Sequence, residues 1–241
     1  MNLNGGLVSG ATGWLVNGAG GSLSAIGTIT CQFNNSGVLS VGSGALNITQ
    51  PFTNSGLIQM TAANSNLTGG VINNAATIQG IGIVNSPLNN LGVVRASGGE
   101  LELGGVGDSS AAGAQIQAST GNTVLYVQGL ATNAGTIALA GGTFDNNTRA
   151  LSNAGLINGY GTLRTGGLTS TGMLNVGEGN MDVFGNVINN GTIGIQGGRY
   201  IYFFGNVSGS GSYTGVGTAT FLAALSPGNS PSRSASPATL I

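Results

Sequence analysis

Asn133-Ala-Gly-Thr-Ile137 and Asn153-Ala-Gly-Leu-Ile157 are one five-residue phrase written twice, twenty residues apart. The same phrase stands upstream as Asn35-Ser-Gly-Val-Leu39 and Asn54-Ser-Gly-Leu-Ile58, and downstream as Asn189-Asn-Gly-Thr-Ile193. Its central glycine, or a substitute, recurs at Gly37, Gly56, Ala76, Gly92, Gly113, Gly135, Gly155, Gly172, Gly191 and Gly211. The intervals lie between 16 and 22 residues, with a mean near 19. That is far too short for a paired-helix repeat and suits a coil of three short strands joined by three turns.

Two residues after each anchor come Leu39, Ile58, Ile78, Val94, Gln115, Ile137, Ile157, Leu174, Ile193 and Tyr213. Eight of the ten are aliphatic, which predicts a single buried row. Gln115 falls in the longest coil, where one inserted residue brings Ile116 into the slot. Alternation continues at Leu39/Val41, Ile58/Met60, Ile137/Leu139 and Ile193/Ile195, as expected of a strand with one face inward. A second strand opens at glycine in Gly44-Ala-Leu-Asn-Ile48, Gly99-Glu-Leu-Glu-Leu103, Gly161-Thr-Leu-Arg-Thr165, Gly179-Asn-Met-Asp-Val183 and Gly198-Arg-Tyr-Ile-Tyr202. A third precedes the Asn, as in Val71-Ile72, Ala150-Leu151 and Val187-Ile188. Phe-Gly-Asn-Val at 184–187 and again at 204–207 gives the same period independently.

The expected fold is therefore all-β: a single-stranded parallel β-helix of about ten coils, right-handed because parallel crossovers take that hand. The domain reading is an N-terminal coil or cap over 1–34, β-helix repeats over 35–221, and an extended Ser/Pro/Ala-rich tail over 222–241. Composition agrees: 47 glycines serve turns and close backbone approaches, while 40% hydrophobic residues and a mean hydropathy of +0.27 separate the chain from a disordered Gly/Ser segment. The recurrent Asn35, Asn54, Asn74, Asn90, Asn133, Asn153 and Asn189 are expected to stack as a hydrogen-bonded amide ladder.

Charge narrows the function. Five arginines, six acids and no histidine or lysine give a net charge of −1, so no basic track neutralises phosphates and nucleic acid is not an expected partner. A Ser-His-Asp triad is excluded by the absence of histidine. No cofactor, metal or catalytic residue is assigned: Cys31 stands alone as a core-filling thiol, and no uninterrupted apolar run is long enough for a transmembrane helix.

Two features remain as candidates. Glu100 and Glu102 share one outward strand face about 7 Å apart, a separation usable by a glycosidase, though a solvated face is the ordinary reading. In Tyr200-Ile-Tyr-Phe-Phe204 the alternation places Tyr200 and Tyr202 inward and Ile201 outward, as core filling rather than a sugar platform. Asp145, Arg164 and Asp182, each three residues past a strand-opening glycine, suggest a small charge ladder worth no more than about 1 kcal/mol. No regular Thr-x-Thr array suggests an ice-binding face.

The repeated Asn-x-Gly-x-Ile with Gly-Gly-x-Leu resembles the β-helical passengers of bacterial autotransporters and filamentous-haemagglutinin-like adhesins over residues 30 to 221. Ser226-Pro-Gly-Asn-Ser-Pro231 resembles their Ser-Pro-Gly-x-Ser-Pro-Gly motif, with Ser232 where a glycine is usual. The resemblance implies a bacterial, secreted or outer-membrane, cell-surface protein. On it rests the expectation of a non-enzymatic adhesin or passenger spacer, with host or cell-surface glycans or proteins, or further copies end to end, as partners. The alternative is a carbohydrate-active β-helix. No signal peptide is visible at the N-terminus, so the chain is expected to be a piece of a longer exported protein.

Overall fold

The computed structural model describes residues 1–10, 12–228 and 239–240. Every strand pairing in it is parallel, each joining one coil to the next, and about eleven turns stack into a β-solenoid without a helix. At roughly 4.8 Å per turn the stack is on the order of 50 Å long. One turn more than the repeat count comes from the N-terminus, where Asn2–Val8 and Trp14–Asn17 pair with the coil above. The stack also continues past residue 221, with Leu225–Pro227 on Val207–Gly209 and Thr239–Leu240 on Thr218–Ala219. The tail residues 229–238, with the second half of the Ser-Pro-Gly motif, lie outside the described residues.

Each turn has three faces. The first carries the residues that follow the anchor, and its inward row is continuous: Leu23, Leu39, Ile58, Ile78, Val94, Ile116, Ile137, Ile157, Leu174, Ile193 and Tyr213 are successive register partners. All but Tyr213 are buried, and Ile116 fills the slot of the longest coil while Gln115 points to solvent. On the second face the inward column runs Leu101, Val124, Phe144, Leu163, Val183, Phe203, Phe221. Aromatic pairs thicken the core: Phe33 meets Phe52 edge-on at 5.2 Å, and Phe203 stacks on Phe221 at 5.3 Å. Cys31 is buried among these apolar groups.

The anchor glycine is required by stacking. At Gly155 a Cβ would fall on the carbonyl oxygen of Gly135, the anchor one coil earlier, and at Gly172 it would fall on that of Gly155. Backbones in those coils pass at a distance that admits no side chain, whereas Ala76 and Ala114 hold the same position in theirs.

The third face carries the Asn ladder. Asn17 Nδ2 donates to Asn35 Oδ1 at 2.7 Å, Asn35 to Asn54 at 2.7 Å, Asn54 to Asn74 at 2.7 Å, and Asn74 to Asn90 at 2.9 Å. A second Nδ2 hydrogen reaches the first strand one coil on, as from Asn35 to the Leu57 carbonyl. Asn133 resumes the ladder by donating to Asn153 at 2.8 Å, which donates to the Ser170 hydroxyl at 3.0 Å. Between the two runs Ser110 occupies the rung, too short to reach either neighbour, and Ser110 Oγ and Asn133 Oδ1 are left without hydrogen-bond partners among the described residues. Buried amides paired along the axis lock the register, because a slip of one coil residue would strand them all.

Candidate functional site

The second face carries Glu100, Glu102, Asp145 and Asp182 together with the Tyr200 and Phe204 rings. Leu101 and Leu103 point inward there, so Glu100 and Glu102 stand outward, Glu100 exposed and Glu102 half-buried. Register brings a third carboxylate to them: Glu102 pairs with Leu125 and Leu125 with Asp145, placing Asp145 two coils from Glu102 in the same column. The Glu100 carboxyl is held above the usual carboxylate range, first by partial burial and then by the like charges of Glu102 and Asp145. Asp145 was not linked to this pair by sequence spacing, because the column runs across coils of unequal length. Its Oδ1 also accepts the Asn147 N–H at 2.7 Å, closing a turn in which Asn147 and Thr148 adopt positive φ.

The charge ladder is only half formed. Asp145 and Arg164 are register partners, but Asp182 pairs with Thr162, and Arg164 instead faces Phe184. The Arg164 guanidinium carbon lies 4.9 Å from the Phe184 ring centroid, a cation–π contact. The displacement arises at the corner over residues 177–180, where Glu178 takes φ +65° and three residues more than in the preceding coil come before the strand.

The aromatic segment differs from expectation by one residue. Ile201 and Phe203 are buried, while Tyr200 is exposed and Tyr202 half-buried on the outer surface. Gly198 does not open the strand; it sits at φ +71° in a turn closed by the Arg199 N–H to the Gln196 carbonyl at 3.1 Å. The turn delays the strand to Tyr200, and a one-residue shift exchanges its two faces. Outside, Phe184 stacks on Phe204 at 4.3 Å with ring planes 9° apart, and Tyr200 stacks on Tyr202 at 6.0 Å. The Phe184 and Phe204 rings pile along the coil direction, so Arg164, Phe184 and Phe204 form one exposed column.

A buried acid lies at the corner before the third face. Asp108 Oδ1 accepts the Leu88 N–H at 2.9 Å, and desolvation raises its carboxyl to about 7. In a later coil Asn146 makes the equivalent bond from the Leu130 N–H at 2.7 Å and also donates to the carbonyls of Leu130, Arg149 and Ala150. The hydroxyls of Ser86 and Tyr126 are buried without partners among the described residues, and the Tyr126 phenol is raised by burial and by the Asp108 charge.

Among the described residues there is no group of three or more His, Cys, Asp or Glu placed to hold a metal ion, and no helix long and apolar enough to cross a membrane. No family model, no curated protein and no solved structure matches the chain.

Proposed function

We propose that the chain serves as a rigid, non-enzymatic rod within an exported bacterial cell-surface protein of the autotransporter-passenger or haemagglutinin-like kind, holding an adhesive surface away from the cell. The observation that carries this reading is the unbroken parallel register of the first face, reinforced by buried amide rungs. Such a stack resists bending because each coil pairs on both sides. Sparse ionisable groups favour partners met through hydroxyls, amides and scattered apolar groups, such as host or cell-surface glycans or proteins, with weak salt dependence. Further copies meeting end to end are the second association, because an uncapped terminal coil presents free backbone donors and acceptors to another β edge.

A carbohydrate-active β-helix is the second reading, and the Glu100, Glu102 and Asp145 column is the observation that favours it, since a carboxyl held above its usual range is what a general acid needs. Incubation with pectin, alginate, xylan, cellulose and chitin separates the two. The rod should release no reducing ends and no unsaturated uronate from any of them. Turnover that disappears in Glu100→Gln or Glu102→Gln would replace the rod with the enzyme.

A further inference from the structure

We infer that a groove along the first face, at its corner with the second, binds a linear neutral glycan lying parallel to the rod axis. The groove encloses about 530 Å³. Small residues at the corner, Ala138, Ala140, Gly159 and Gly177, open it, and in the outward column Arg95, Gln117, Ala138, Asn158, Asn175 the alanine leaves a gap between polar neighbours. Arg95 to Asn175 is four coil steps, roughly 19 Å. Donors and acceptors therefore repeat along the axis at about the length of one pyranose unit.

Its polar groups are pre-arranged and incompletely used. Arg95 Nε donates to Gln117 Oε1 at 2.7 Å, and Asn175 Nδ2 donates to Asn158 Oδ1 at 3.0 Å. These bonds fix the side chains while leaving the Arg95 terminal nitrogens and Asn158 Nδ2 without a partner among the described residues. Glu178, exposed at the far rim, is held at φ +65°, an unusual conformation for a residue other than glycine. The half-buried Tyr160 ring packs against Gly141 and Gly179 at the neighbouring corner and does not line the groove.

The chemistry selects a neutral glycan. One arginine and one glutamate cancel, so a polyanion finds no net positive field, while amides pair readily with hydroxyls. An extended peptide would need a free strand edge, but the strands beneath the groove already pair on both sides. This inference deepens the adhesive reading above by naming its ligand class and place.

The test is fluorescence anisotropy of the intact chain with labelled hexasaccharides of β-1,4-glucose, β-1,4-N-acetylglucosamine, α-1,4-glucose and β-1,3-glucose, a hyaluronan hexasaccharide and an extended peptide serving as controls. At least one neutral hexasaccharide is expected to bind with a sub-millimolar Kd that changes less than twofold between 50 mM and 500 mM salt. Ala138→Trp, which fills the gap from outside, should weaken it at least tenfold. Gln117→Ala with Asn158→Ala should do the same, and Gln79→Ala, in the same column outside the groove, should not. Unchanged circular dichroism checks that each variant is folded. No binding at 1 mM, preference for hyaluronan or peptide, or equal loss in Gln79→Ala overturns the groove and leaves the rod standing. Glycan turnover, by contrast, overturns the rod reading.

Discussion

Ile157→Asp is expected to unfold the middle of the rod. Ile157 is fully buried between Ile137 and Leu174 in the inward row, so the substitution places an unpaired carboxylate in an apolar interior. The loss should be roughly 4 kcal/mol or more, because no neighbour there offers a donor or an opposite charge. Leu156→Asp, one residue away on the half-buried outer side, should cost about 1 kcal/mol, since the carboxylate stays near water. Thermal unfolding followed by circular dichroism measures both, and equal losses would contradict the alternation on which the stack depends.

Asp108→Asn is expected to stabilise the protein at pH 8 and to remove much of its dependence on pH. The Asp108 carboxyl is raised from 3.8 to about 7 in the fold. The folded state therefore holds this proton where the unfolded chain has lost it. The stability contribution is complete below about pH 4, falls as pH rises towards 7, and is lost above that. A shift of this size corresponds to about 4 kcal/mol. Asparagine keeps the acceptor for the Leu88 N–H, carries no charge, and repeats what Asn146 does at the Leu130 N–H. Urea unfolding of both proteins at pH 4 and pH 8 is the check: the variant should match the parent at pH 4 and exceed it at pH 8. Parallel curves at both values would mean that Asp108 titrates normally.

The fold was legible because its determinants are local and repeated. Ile58, Ile137 and Ile157 could be placed inward, and Asn54 and Asn153 in a ladder, from one short phrase, since stacking forces equivalent residues into register. Asn17 was harder to see: four residues rather than two separate it from Gly21, yet the turn from Gly18 to Gly21 absorbs the extra pair and Asn17 still joins the ladder. Corners were less legible than strands. Gly179 and Gly198 look like the strand-opening Gly161, but Met181 is the register partner of Gly161, and Gly198 is spent in a turn. Those shifts misplaced Asp182 and exchanged the faces of Tyr200 and Ile201. Corner length leaves no periodic signal, because a turn accommodates extra residues so long as the next strand lands in register. The association of Asp145 with Glu100 and Glu102, and the groove at Ala138, both depend on columns running across coils. They became visible only with the register.

The central claim is that these coils form one continuous, stiff rod. Ser40 and Thr214 occupy the same outward column, nine coil steps apart. Spin labels at Ser40→Cys and Thr214→Cys, with Cys31→Ala to remove the native thiol, should give a single narrow distance distribution in double electron–electron resonance. Its centre should lie near 43 Å, from about 4.8 Å per step, broadened only by the label linkers. A broad distribution, or one centred well below 35 Å, would contradict a rigid stack and with it the proposed role.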